Sequence, residues 1–377
     1  MMAAVQPTPL RLAYLADPNS VHTARWIGFF AQRGHQVDLL IGTDDEVRGT
    51  LPDGVRLHRY PRFGRRRLPF LSSLQGRRAI RRVLADLRPQ VLHAHYLSRY
   101  GWQARLSGFH PYVVTPWGSD LFVTPRRSLR ARLWARWTLR GADLVTVVSE
   151  QMRTAVLSAG ARADRVTNVQ FGVDTNRFSP GPAAGATPGV PGLEGRVLFS
   201  PRSLRPLYRH EVIVQALATL PSDLRLVMGA RNEDARYRHD LEAQARSLGV
   251  GDQILILDAI DDEQMLGLYR SASVVVSVPD SDGLPVSVLE AMSCGTLIVA
   301  SDLPGVRELM EPVAPHLLVP AGDAASLATA VLAALELGAD ERRAVGASLR
   351  DRVLAVADQR VNMLRMESLY RTLAARR

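Results

Sequence analysis

The chain has 377 residues and a formal net charge of +10, and all 47 of its basic residues are Arg. With 46% hydrophobic and 22% charged residues its make-up is ordinary for a globular protein, and its length suits two domains better than one. No apolar run approaches the roughly 20 residues of a membrane span, and a single cysteine, Cys294, excludes an intrachain disulfide. The charge is uneven: residues 1–177 carry 27 Arg against 12 acids, and residues 178–377 carry 20 against 25. A basic first half suits anionic lipid headgroups, other anionic ligands or nucleic acid. The lack of Lys is put down to genome composition.

The opening, MMAAVQPTPLRLAYLADPN, lacks a basic flank, so its short apolar run reads as a strand and not as a signal peptide. Leu10–Ala16 is that strand, and Thr23–Arg33 is helical in pattern with Gly34 placed as its C-cap. Gln36–Ile41, Val91–Tyr96, Tyr112–Thr115 and Leu144–Val148 read as further strands. His93 and His95 lie two positions apart, hence on one face of their strand. A metal pair is conceivable at that spacing, but no Cys or acid cluster lies nearby in sequence. Pro125 to Arg140, PRRSLRARLWARWTLR, sets Leu129, Leu133, Trp134 and Trp137 among six Arg at spacings of three and four. Such a helix either packs by its apolar side or lies on an anionic membrane. The second basic, apolar loop Phe63–Phe70, FGRRRLPF, tips the reading toward weak membrane association. Ser179 to Gly195 is rich in Pro and Gly and reads as a linker.

Beyond the linker, Arg196–Ser200, Leu224–Gly229, Gln253–Asp258, Val274–Val278 and Thr296–Ala300 repeat the strand-and-helix alternation of a parallel sheet. Arg202 follows the first of these strands and projects at the sheet's carboxyl end. A guanidinium there offers paired donors to phosphate and stays charged at any working pH. Ser277 to Gly295, SVPDSDGLPVSVLEAMSCG, sets Asp282 in a Gly-containing loop and Glu290 eight positions later in a helix. Strand, turn and helix in that order build a crevice whose free amides and positive helix end suit a phosphate. Pro285 has no N–H, so those amides belong to Gly283, Leu284 and Val286. Two carboxylates repel phosphate but accept from hydroxyls, such as a ribose and a sugar on either side of a diphosphate. The outline is a nucleotide-sugar pocket. An Asp-Gly turn and a solvated helix Glu are the plain alternatives, yet Glu290 sits in the run VLEAM, where a lone carboxylate is costly without partners. Cys294, beside it, reads as a small core thiol and not a nucleophile, and one cysteine agrees with a reducing, cytoplasmic address.

This segment resembles the acidic signature of the retaining glycosyltransferases of family 4, two-domain enzymes of the GT-B fold. The family pattern is Glu, seven residues, Glu, then Ala, a small residue and Gly. Asp282 stands for the first Glu, one methylene shorter, and Glu290 for the second. The resemblance implies that Asp282 lies by the transferred sugar, that Glu290 binds the ribose and that Arg202 takes the donor diphosphate. It places Arg209, in LYRH, where the family has a Lys, and Ile260, in DAIDD, against the base. Glu308, in SDLPGVRE, matches a later family Glu and reads as a helix-start acid. On the acceptor side, DPNSVH replaces a Gly-rich loop and puts His22 there, with His95 at the end of the next matching strand. Trp117, in TPWGSD, replaces a family His; an indole shuttles no proton but stacks on a sugar face, with Asp120 as a polar partner. Phe171-Gly172-Val173-Asp174 matches a structural turn. The family acts without a bound metal, so no metal and no other cofactor is expected.

The expected fold is α/β, with two doubly wound Rossmann-like domains facing a central cleft. Residues 1–178 form the acceptor side, 179–195 the linker and 196–357 the nucleotide-sugar side, and the resemblance sends the tail, 358–377, back onto the first domain. The implied activity moves a sugar from a nucleotide diphosphate to an acceptor hydroxyl with retention. The expected partners are that donor, a glycan, lipid-linked or small-molecule acceptor, and an anionic membrane surface at the inner face. A binding or regulatory protein of the same fold without turnover is the rival, supported by the Asp282 and Trp117 departures. A nucleic-acid-binding role rests on basic charge alone and lacks a recognition motif, so no nucleic acid is expected.

Overall fold

The computed structural model describes residues 8–61, 69–122, 128–181, 195–229, 233–258 and 260–376. Most of the loop Phe63–Phe70, the pair Arg126–Arg127 and linker residues 182–194 lie outside the described residues. The chain forms two compact units: one runs to Phe171 and resumes at Val361, the other is Gly172–Arg360.

The first unit contains β1 (Arg11–Leu15), α1 (Val21–Gln32), β2 (Gln36–Gly42), β3 (Val55–Tyr60), α2 (Pro69–Leu87), β4 (Val91–His95), α3 (Trp102–Ser107), β5 (Tyr112–Thr115), α4 (Ser119–Phe122), α5 (Leu129–Gly141), β6 (Leu144–Val147), α6 (Glu150–Ser158) and β7 (Val166–Asn168). The second contains β8 (Arg196–Ser203), α7 (His210–Leu217), β9 (Leu224–Gly229), α8 (Ala235–Ser247), β10 (Ile254–Leu257), α9 (Asp262–Ser271), β11 (Val274–Ser277), α10 (Val286–Ser293), β12 (Ile298–Ser301), α11 (Pro304–Met310), β13 (Leu318–Val319), α12 (Ala324–Glu336) and α13 (Ala339–Val356). The last helix, α14 (Gln359–Ala374), returns the chain to the first unit.

Both sheets are parallel, in the orders β3-β2-β1-β4-β5-β6-β7 and β10-β9-β8-β11-β12-β13. The strand order reverses between β1 and β4 and again between β8 and β11, and such switch points are where doubly wound sheets bind ligands. Strands β4, β5, β6, β11 and β12 are buried along their whole length, as strands covered on both faces by helices must be. Strands β3, β7 and β13 were not anticipated. Of the six residues of β3 only Tyr60 is buried and two are exposed Arg, and β7 and β13 have three and two residues, too short for a period to show.

Local chemistry sets the helix that begins the first unit. Ser20 caps α1 by accepting the Thr23 amide at 3.4 Å, and Gly34, at φ 80°, stands just past its end. The same unit closes on α14 through Tyr370. The Tyr370 hydroxyl accepts Trp26 Nε1 at 3.2 Å, lies 3.2 Å from the Tyr14 hydroxyl and bonds His93 Nδ1. Every side chain in that network is buried, and satisfied buried polar groups of this kind define one packing arrangement.

Candidate functional site

In the second unit, the pairing of β8 with β11 ends at Phe199 and Val275, yet β8 runs on to Ser203 through a register irregularity beside β9. The carboxyl ends therefore part, and Arg202 points into the opening. Its Nη2 donates to Asp282 Oδ2 at 2.6 Å and its Nη1 to Ser287 Oγ at 3.1 Å. The guanidinium also lies 4.1 Å over the Tyr208 ring. Asp282 in turn accepts the Gly283 amide at 2.8 Å. That bond engages one of the three loop amides expected to face a phosphate.

Ser287 and Glu290 share one face of α10, three residues apart. Glu290 is 7% exposed, and its Oε2 accepts the Tyr269 hydroxyl, from α9, at 2.9 Å. Burial and the Glu290 charge push the Tyr269 hydroxyl well above its ordinary value, while Arg202 acts in the opposite sense. The two charged groups thus act on one phenol in opposite senses. In place of a solvated loop Asp and a solvated helix Glu, Asp282 is bound to Arg202 and Glu290 is buried against Tyr269.

The other donor-side residues are placed less centrally. Arg209, at φ 53°, directs Nη1 to Asp280 at 2.9 Å and Nε to within 2.6 Å of Glu211. It is pinned by two acids of its own, apart from Arg202's partners. Ile260 is buried, with its Cδ1 close over Gly229 at the end of β9. Leu284 packs against the core and Val286 opens α10. Behind Arg202, the buried His210 meets Ser200 Oγ at 3.2 Å, and burial lowers its pKa to about 3, so it is neutral at working pH.

In the first unit, the switch point between β1 and β4 assembles the other expected residues. His22 stacks on Trp117 with ring centroids 5.0 Å apart and 18° between planes, and Trp117 meets His95 edge-on at 5.6 Å. His95 is fully buried, with Nδ1 3.5 Å from Thr23 Oγ1, and burial lowers its pKa to about 3. It is therefore no reservoir of protons near neutrality. Asp120 differs from the polar partner expected: it is 2% exposed and accepts the amides of Leu97, Trp117 and Gly118 at 2.5, 3.0 and 3.0 Å. Burial raises its pKa even so. Its visible role is to hold the turn that carries Trp117. His93 is likewise structural, bonded to Tyr370 and, at 2.7 Å, to Thr115.

Sequence reading missed Tyr208, Ser287, Tyr269 and Gly305. Ser287 had a signal, its i−3 spacing from Glu290. Gly305 had another, a glycine inside the first turn of a helix, where it costs about 1 kcal/mol against Ala. A Cβ on Gly305 would lie 2.0 Å from the Gly283 carbonyl oxygen, so this close approach holds the acidic loop. Tyr208 and Tyr269 had none. Among the described residues no group of three or more His, Cys, Asp or Glu is placed to share a metal ion. None of the described helices is long and apolar enough to cross a membrane.

This arrangement of two parallel Rossmann-like sheets matches solved GT-B structures. Sucrose-phosphate synthase from Thermosynechococcus elongatus superposes with a TM-score of 0.80 at 22% identity, over 97% of this chain and 100% of that one. Anabaena HepE in complex with UDP-glucose superposes at 0.79 and 16% identity, over 96% and 100%. The fold is therefore GT-B. Residues 11–149 match the Glycosyl transferase 4-like family and residues 190–351 match Glycosyl transferases group 1, and the chain belongs to this family of glycosyltransferases. It is 33% identical over 211 residues to a D-inositol 3-phosphate glycosyltransferase of Xylanimonas cellulosilytica, covering 53% of this chain and 50% of the relative. Against that of Geodermatophilus obscurus it is 29% identical over 282 residues, covering 68% and 62%. The chain thus spans about half the length of the curated relatives it matches.

Proposed function

We propose that the protein is a retaining glycosyltransferase that moves a hexosyl-type sugar from a nucleotide-diphosphate donor to an acceptor hydroxyl. The contact that carries this reading is Arg202 bound to both Asp282 and Ser287 at the head of α10, with Glu290 on the same helix face. As the donor bond breaks, negative charge grows on the departing diphosphate, and fixed positive groups aimed at it are usually the largest catalytic term. A guanidinium has five N–H donors, so Arg202 holds its two protein partners and still has donors for phosphate oxygens. The amides at the head of α10 add to it. Ionised Asp282 has about four acceptor sites, enough to orient Arg202 and to bind a hydroxyl of the transferred sugar. Glu290 takes the ribose hydroxyls, with one oxygen steadied by Tyr269. In this reading no metal and no protein nucleophile is invoked.

The acceptor side is the His22–Trp117 stack, an aromatic platform suited to a sugar face. Relatives named for D-inositol 3-phosphate favour an anionic acceptor, which suits the Arg excess of residues 1–177. A lipid-linked acceptor would instead hold the enzyme at the cytoplasmic face of an anionic membrane. The rival reading, a donor-binding protein without turnover, draws on Trp117 standing where a proton-shuttling side chain is usual.

The decisive test is calorimetry with UDP-, GDP- and ADP-sugars, followed by nucleotide release with an acceptor panel and NMR of the product anomer. Donor binding with release and a retained anomer is the expected result. Tight donor binding with no release from any pair would favour the rival, and failure to bind every donor would remove the pocket itself.

A further inference from the structure

Helix α5 turns its apolar side outward. Leu129 is 73% exposed, Leu133 66%, Trp134 46% and Trp137 37%. Its buried residues are Ala135, Thr138 and Leu139, on the opposite side. A spacing of four puts Leu129, Leu133 and Trp137 on one ridge, and Arg130, Arg132, Arg136 and Arg140, all exposed, flank it. Packing on the unit's own core accounts for the small inward residues and leaves the large outward ones unexplained. Water is a poor solvent for such a ridge, and exposed clusters of large apolar side chains mark interaction surfaces.

The two tryptophans are braced where they stand. Trp134 meets Trp102 edge-on at 5.2 Å and Trp137 at 5.5 Å, and the Arg105 guanidinium lies 4.7 Å over the Trp137 ring. Trp102 and Arg105 both come from α3, so a neighbouring helix presents these rings without covering them. Ordered, amphipathic indoles suit the boundary between lipid headgroups and acyl chains. The flanking guanidiniums suit lipid phosphates at an anionic surface.

We infer that α5 is a docking element for an anionic lipid bilayer, lying in the headgroup plane with Leu129, Leu133 and Trp137 inserted and its four Arg on phosphates. Charge decides between occupants. A second copy of this chain would set four Arg of one ridge against four of the other, whereas an anionic bilayer neutralises them. This inference is independent of the transferase reading, since the surface shares no residue with the donor site and its test needs no turnover.

The experiment is co-sedimentation of the full chain with phosphatidylcholine vesicles made with and without phosphatidylglycerol, read beside tryptophan emission. Binding to the anionic vesicles, weakened by salt and accompanied by a blue shift, is expected. Leu133→Glu should lower that binding about tenfold or more, because a charge is driven into the apolar layer, while donor binding and the melting temperature stay unchanged. Arg132→Gln with Arg136→Gln should lower it and reduce its salt dependence. Three results would overturn the inference: no partition onto anionic vesicles, equal partition of wild type and Leu133→Glu, or a wild-type dimer in sedimentation velocity that Leu133→Glu dissociates.

Discussion

Arg202 is held from three sides, by a carboxylate, a hydroxyl and an aromatic face, and of these only the aromatic face left no signal in the chain. Asp282 announces itself through the turn it occupies. Tyr208 is near Arg202 in sequence but carries no signature, since whether an aromatic ring stacks on a guanidinium depends on the backbone between them. A cation–π contact of this kind contributes about 0.5–2 kcal/mol. Tyr208→Ala is expected to weaken nucleotide-sugar affinity by roughly twofold to thirtyfold, the same energy expressed as a ratio, and Tyr208→Phe to preserve it. Titration calorimetry decides; equal losses for both would remove the ring from the account. Glu290, on α10, and Cys294, which caps the end of that helix four residues later, have contrasting expectations. Hydrogen bonds to a charged group contribute about 1.5–3 kcal/mol, so Glu290→Ala should lower donor affinity about tenfold or more. Cys294 is buried, its thiol pushed up to about 12 mainly by that burial, and Cys294→Ala should leave donor affinity within about twofold, as expected for a residue off the site. Comparable losses would count against the ribose assignment.

Helix α10 is clamped at both ends by backbone approaches that only glycine allows. Gly305 of α11 touches the Gly283 carbonyl before its first turn, and a Cβ on Gly346 of α13 would lie 2.2 Å from the Gly295 oxygen after its last. The acidic loop is thus fixed by elements that follow it in the chain. Gly305→Ala must displace that loop, because its Cβ would meet backbone and not a yielding side chain. We expect the donor affinity to fall by about tenfold or more, a loss of at least 1.4 kcal/mol, while far-ultraviolet circular dichroism stays native. An unchanged affinity would show that the loop adjusts at no cost. The regular elements of both sheets were largely legible because buried parallel strands read as apolar runs. The edge strands β3, β7 and β13 were not, being short or polar. For α5 the periodicity was legible, but which side faces the core was not: packed and exposed ridges share one sequence pattern.

Across the molecule, acid stability should follow its buried histidines. Burial holds His93 well below the ordinary value of 6.5 and lowers His95 and His210 to about 3, and His35 is lowered as well. The unfolded chain takes up protons below pH 6.5 that the folded one refuses. Their contribution is therefore complete above pH 6.5 and is lost as pH falls, by up to about 1.4 kcal/mol per pH unit for each such group. Asp38 and Glu367, lowered from 3.8 and 4.5, add a further loss only at lower pH. Urea midpoints measured from pH 7.5 to 5 should fall steadily, and His210→Gln should make the decline shallower; a flat wild-type profile would contradict the neutral, buried state.

Local order along the chain was enough to recover two α/β halves, the basic first half and the positions of Arg202, Asp282 and Glu290, because strand, turn and helix chemistry acts between near neighbours. What chain order could not convey was which distant groups complete each side chain. Tyr269 reaches Glu290 from another helix, Asp120 turns inward to three amides, Tyr370 comes from the tail to bind His93, and Leu133 faces out. Those outcomes depend on how helices and sheets pack against one another, where contacts between residues far apart in sequence decide the free energy.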